Sequence, residues 1–156
     1  MRPRRKTVLA LAVRASRVGY VYLVDGKATD WHLSEQASKS PEMTKRRMSE
    51  WLRQFKPDVV VLEDHRTATR KSGKNRAIIK ALLRTAQKHN TKVVELRREQ
   101  HYPNRYDEAR ELAELFPELA AWRPDKPEPW VREPRNLVYF ECLALALQSD
   151  LVPGEL

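Results

Sequence analysis

The chain has 156 residues, of which 30 are Lys or Arg and 21 are Asp or Glu, for a formal net charge of +9. That length suits one domain with its own core, and the single cysteine, Cys142, excludes an internal disulfide framework and points to a reducing compartment. The positive balance favours polyanions such as nucleic acid as partners, and no apolar run is long enough to span a bilayer.

The start, "MRPRRKTVLALAV", has a basic head, but its apolar stretch is short and runs into Arg14 without a cleavage-type end. The expectation is a single cytoplasmic domain over residues 1–156 that does not bind membranes, with flexible ends at 1–5 and 151–156. Residues 7–13 and 18–24 are apolar and rich in β-branched or aromatic side chains, which predicts a strand, a turn over 14–17 and a second strand. Asp25-Gly26 supplies a hairpin turn, since both positions tolerate positive φ, and leads into a third strand over 28–33.

After a polar linker, Ser40-Pro41 reads as an N-cap and first helical position, and Met48, Trp51, Leu52 and Phe55 recur at helical spacing until Lys56-Pro57 ends the helix. "DVVVLEDHR" is then a buried central strand ending at Glu63. Asn75 is the expected cap of a second helix reaching His89, and "KVVELR" is a fifth strand, parallel to the fourth because a helix joins them. A third helix is predicted over 106–115. The proline-rich "PDKPEPW" leads to a last helix starting near Pro134.

That last helix carries "NLVYFECLALALQ". Apart from Tyr139 and Cys142, Glu141 is the one ionisable side chain between residues 137 and 147. An isolated carboxylate costs several kcal/mol or more in an apolar interior, so Glu141 must be paired, protonated, metal-bound or within reach of solvent. Leu137, Phe140 and Ala144 are expected to share its face.

The order β-β-β-α-β-α-β-α-α is that of the α/β ribonuclease H-like fold: a five-stranded mixed sheet, three strands antiparallel and two parallel, with helices on both faces. On that order "VLALAVRASRVGY", "PDVVVLED" and "YFECLALAL" resemble the RuvC-like, Holliday junction resolvase-like branch of the superfamily, and "DWH" at Asp30 and "FPEL" at Phe116 resemble a RuvC-like subgroup with a depleted acidic site. The resemblance extends from Val8 to Leu147. It implies a metal-dependent endonuclease that uses Mg²⁺ or Mn²⁺ on branched or duplex DNA, as a symmetric dimer if paired strands are cut. Glu63 matches the fourth-strand glutamate and Glu141 the last-helix acid, although aspartate is usual there. The first-strand aspartate position falls on Ala12, and the acid one turn before Glu141 is replaced by Val138.

Two-metal cleavage needs several converging carboxylates, and hard oxygen ligands are what Mg²⁺ prefers. Glu63 and Glu141 are the candidate catalytic and metal-binding acids, with Asp64, Asp30 and Glu133 as candidates to complete a ligand set. The alternative for Glu63 and Glu141 is an ion pair with an arginine; for Asp64, a solvated or helix-capping acid on the opposite side of the strand from Glu63; for Asp30, an outer-strand polar residue; for Glu133, an N-cap ahead of Pro134. "DHRTATRKSGKNR" places Arg66, Arg70, Lys71, Lys74 and Arg76 beside Glu63, with Arg14 and Arg17 on the same rim, as a candidate surface for backbone phosphates. His65 is a candidate general base. Lys45, Arg46 and Arg47 read as the solvated side of the first helix, and the four tryptophans as core or loop anchors. Two further functions remain open: a nucleic-acid-binding pseudonuclease that does not cleave, and a protein-interaction scaffold.

Overall fold

A computed structural model describes residues 6–150; the expected flexible ends, 1–5 and 151–156, lie outside them. Strands β1 (Thr7–Arg14), β2 (Arg17–Val24) and β3 (Lys27–Ser34) form an antiparallel meander. The β1–β2 turn is made by Ala15 and Ser16 at φ of 51° and 59°, and the β2–β3 turn by Asp25 and Gly26 at 50° and 82°. Positive φ at both central residues is the twist that a two-residue hairpin requires. The second turn uses residues suited to it; the first holds an alanine in the left-handed region, at a cost of about 1–2 kcal/mol.

Helix α1 (Pro41–Phe55) starts as the sequence predicts, with Ser40 Oγ accepting from the Met43 amide at 3.1 Å, and stops at Lys56, whose φ is 45°, ahead of Pro57. β4 (Val59–Glu63) and β5 (Lys92–Leu96) are joined by α2 (Gly73–Lys88) and run parallel to β1, completing a five-stranded sheet in the order β3-β2-β1-β4-β5. Then come α3 (Arg105–Leu115), a 3₁₀ turn over Pro117–Trp122, and α4 (Leu137–Gln148).

Two helix starts differ from the sequence reading. Ser72, not Asn75, caps α2: its Oγ accepts from the Asn75 amide at 3.1 Å, while Asn75 itself is turned inward and buried. α4 begins at Leu137 rather than near Pro134, because residues 135–136 form a turn in which the Leu137 amide bonds back to the Pro134 carbonyl.

Alternation along the strands divides the core in two. Leu9, Leu11, Val13, Val60 and Leu62 face α1 and α2, whereas Val8, Ala10, Ala12, Val59 and Val61 face α3, the 3₁₀ turn and α4. α4 does not have the single apolar face expected of it. Every residue from Leu137 to Ala146 is buried, because sheet, α3 and 3₁₀ turn enclose the helix. The tryptophans divide as well: Trp51 is in the core and Trp31 packs edge-on against Trp122, but Trp130 is 81% exposed and lies outside the core.

Among the described residues no helix is long and apolar enough to cross a membrane.

Candidate functional site

Glu63 is the last residue of β4, on the α4 side of the sheet, and Glu141 lies one turn into α4. The close seating of α4 on the sheet brings them together. A Cβ built on Gly19 of β2 would lie 2.2 Å from Val138 Cγ1, so only glycine lets the helix approach this closely, and the Cys142 thiol donates to the Gly19 carbonyl at 3.4 Å. Ala12 pairs with Gly19 across the β1–β2 ladder and is buried on the same face. The two positions that lack acids, Ala12 and Val138, are therefore core packing beside the acid pair.

The cation between the two acids is supplied by the chain. Lys71, in the loop before α2, is only 14% exposed and reaches across the end of β1. Its Nζ donates to Glu141 Oε1 at 2.7 Å and to the Val13 carbonyl at 2.7 Å, and lies 3.7 Å from Glu63 Oε1. Arg14 Nη1 lies 3.7 Å from Glu141 Oε2, and Arg98 Nε lies 3.9 Å from Glu141 Oε1.

Burial pushes the Glu141 carboxyl up, but Lys71, Arg98 and Arg14 together outweigh it and hold the group below the usual carboxylate range. At Glu63 the balance reverses: burial raises the group, Lys71 pulls it back only in part, and Glu141 pushes it up again. Glu141 is thus the ionised partner that the cations serve, and Glu63 is the acid disfavoured beside it. Glu63 Oε1 and Glu141 Oε2 are buried without a hydrogen bond among the described residues.

A second ring of charge surrounds this pair. Arg98 bonds Glu108, a buried acid of α3 whose carboxyl is raised by burial against the pull of Arg98. Arg14 and Arg105 both bond Glu133, with Arg14 Nη2 donating to Oε2 at 3.1 Å. Glu133 is therefore not a helix cap, since α4 starts later, but a rim acid tied to the centre through Arg14. Arg98 and Glu108 were not foreseen: each partner is distant in sequence, and a basic residue after a strand or an acid in an amphipathic helix carries no signal of pairing.

The other candidates are not brought to the pair. Asp64 points away from Glu63, as alternation predicts, and is held by Arg66, which donates Nε to Oδ1 and Nη2 to Oδ2 at 3.0 Å each. That hydrogen bonding is the main cause of its lowered carboxyl. Asp64, His65 and Glu95 have one ligand atom each within 4.8 Å of one another, a group separate from the acid pair in which both Asp64 oxygens are already bonded to a guanidinium. His65 belongs to that group. Asp30 lies on the edge strand β3, opposite Tyr22, with β2 and β1 between it and β4.

Of the basic residues proposed for phosphate contact, Arg14 and Lys71 serve the acid centre, Arg17 bonds Glu35 at 3.2 Å, and Arg66 holds Asp64. Arg70, Lys74 and Arg76 are exposed. Lys74 and Arg76 belong to α2 rather than to a loop around Gly73, since α2 begins at Gly73.

The acid pair does not fit a two-metal centre. Mg²⁺ takes near-octahedral oxygen ligands at about 2.0–2.1 Å, and a two-metal site needs enough of them to hold two ions roughly 4 Å apart. Here Ala12 and Val138 provide no ligand oxygen, one oxygen of Glu141 is bonded to an ammonium, and three cationic groups already face two carboxylates.

No protein-family model and no curated protein sequence matches the chain. Solved structures do. Thermus thermophilus RuvC superposes with a TM-score of 0.59 over 90% of this chain and 91% of its own, at 15% identity. The yeast mitochondrial Holliday junction resolvase Ydc2 gives 0.55 over 93% and 82% at 14% identity. The Fowlpox virus resolvase in complex with Holliday junction DNA gives 0.55 over 93% and 99% at 16% identity. The fold is the RuvC-like form of the ribonuclease H-like architecture.

Proposed function

We propose that this protein binds nucleic acid, DNA first, through a RuvC-like fold whose acid centre is closed by an internal ammonium, and that it does not cleave phosphodiesters with Mg²⁺ or Mn²⁺. The observation that carries this reading is the position of Lys71: its Nζ bonds Glu141 and the Val13 carbonyl and faces Glu63, where a hydrolytic centre would need a divalent ion. The net charge of +9 and the likeness to resolvases, one of them in complex with Holliday junction DNA, support nucleic acid as the partner.

Within this reading Glu63, Glu141, Lys71, Arg14 and Arg98 hold α4, β4, β5 and the β1–β2 turn in register at the end of the sheet. Arg70, Lys74 and Arg76, exposed beside this centre, supply phosphate contacts, which give affinity without sequence readout. A metal-dependent endonuclease is the competing reading, and its loss of two ligand positions at Ala12 and Val138 counts against it.

The test incubates purified protein with branched, duplex and hybrid substrates in Mg²⁺ and in Mn²⁺, beside salt-dependent binding measurements. Salt-sensitive binding with intact substrate is the expected result. Cleavage that disappears in Glu63→Gln would establish the nuclease instead.

A further inference from the structure

Helix α2 differs from the other surface helices in its charge. It carries Lys74, Arg76, Lys80, Arg84 and Lys88 and no acidic residue. α1 offsets its basic residues with Glu42 and Glu50, Arg47 reaching Glu50 at 3.0 Å, and α3 has Asp107 beside Arg110 at 3.6 Å. On α2, Arg76, Lys80, Arg84 and Lys88 recur every four residues, so they stack along one exposed row. Like charges at that spacing destabilise a helix, and none of the four has a carboxylate within ion-pair distance among the described residues. The row therefore works against folding unless a polyanion covers it.

The row borders a groove. α1 and α2 pack side by side, and between them lies a groove of about 320 Å³ lined by Lys45, Lys80, Arg84 and Lys88 over a floor that includes Ala77 and Ala81. Among the described residues no carboxylate lines it. The groove is on the sheet face away from α4, and Arg70 and Lys74 extend the basic row towards the rim of the acid centre.

We propose that the α1–α2 groove is a second nucleic-acid surface, in which Lys45, Lys80, Arg84 and Lys88, continued by Arg76, hold the phosphates of one strand. This inference rests on the nucleic-acid-binding reading and extends it to a face that the acid centre does not touch. From Arg76 to Lys88 the helix rises about 18 Å. Each strand of a duplex presents one phosphate per about 3.4 Å of helix axis, so a helix laid along that axis spans the axial rise of about five phosphates of one strand. A membrane is a poorer fit, since an interfacial helix must insert an apolar face, and the apolar face of α2, formed by Ile78, Ile79, Leu82, Leu83 and Ala86, is buried against the sheet.

The experiment measures binding of fluorescein-labelled random-sequence duplex DNA by anisotropy across a salt series. It compares the whole chain with a groove variant (Lys80→Gln, Arg84→Gln, Lys88→Gln) and with a control variant that removes equal charge elsewhere (Lys27→Gln, Lys126→Gln, Arg132→Gln). Each lost phosphate contact should reduce the slope of log K against log salt by about 0.9, so the groove variant should be shallower by roughly 2.7 while the control keeps the wild-type slope. Equal slopes in wild type and groove variant, or equal losses in the groove and control variants, overturn the groove and leave nucleic-acid binding in place. If the wild type binds neither duplex nor single-stranded DNA or RNA, both readings fall. Groove-dependent binding to phosphatidylserine vesicles or polyglutamate, with none to nucleic acid, overturns the assigned occupant.

Discussion

At the end of the sheet, where β1 and β4 meet α4, charge is buried and faces opposite charge: Lys71, Arg14 and Arg98 face Glu63 and Glu141, while Arg98 also bonds Glu108 and Arg14 also bonds Glu133. In the α1–α2 groove, charge is exposed and, among the described residues, of one sign. The difference separates two uses of the same residue types. Buried charges that satisfy one another hold elements in place and have little left for a ligand, whereas exposed cations without partners weaken their own helix and are free for a polyanion.

The contrast breaks most sharply at Lys71. Lys71→Met leaves Glu141 in the core without its hydrogen-bonded cation, and the loss of one member of such a pair should cost about 3–5 kcal/mol in urea denaturation. Adding Glu141→Leu should recover most of that loss, because an apolar pair of similar volume needs no compensation. A Lys71→Met cost under about 1 kcal/mol would mean that Arg14 and Arg98 alone suffice.

Gly19→Ala probes how closely α4 is seated. Its new Cβ would overlap Val138 Cγ1, so a loss of about 1–3 kcal/mol is expected, with partial rescue by Val138→Ala. Failure of that rescue would place the strain in the β2 backbone instead.

The two acids should also respond to pH with opposite signs. Glu141 is held below its ordinary range, so its stabilising contribution is present above the unfolded carboxylate range and fades as pH falls through its lower folded-state value. Glu63 is raised, so its contribution is present in acid and is lost as pH rises through its higher folded-state value. Glu63→Gln should therefore be neutral or slightly stabilising at pH 7, and its stability should fall less than that of the wild type as pH rises above the unfolded carboxylate range, measured by thermal unfolding. Destabilisation at pH 7 would show that ionised Glu63 is needed beside Lys71.

The smallest effect belongs to the exposed face. Lys80→Glu replaces repulsion with attraction towards Arg76 and Arg84, and should stabilise the free protein by about 0.2–0.5 kcal/mol per pair.

Much of this architecture follows from local signals that need no tertiary partner. Alternating or unbroken β-branched runs, the Asp25-Gly26 turn and the Ser40-Pro41 start define the five strands and α1, and helical linkage between β4 and β5 makes that pair parallel. That Glu63 and Glu141 lie near each other was also legible, because the RuvC-like resemblance assigns both acids to one end of the sheet. Other features were not. Arg98 and Glu108 pair across ten residues and two elements, and Asn75 looks like a cap until its side chain is seen to face inward.

Composition and periodicity, which act within a few residues, thus determined the elements, their order and the presence of an anomalous acid. Only the folded structure decided which of many cations neutralises it. Thirty basic residues were available, and the selection of Lys71 depends on α4 closing over Gly19 and on the loop before α2 crossing the end of β1. Coulombic pairing falls with distance and rises with burial, and neither quantity exists until the chain has folded.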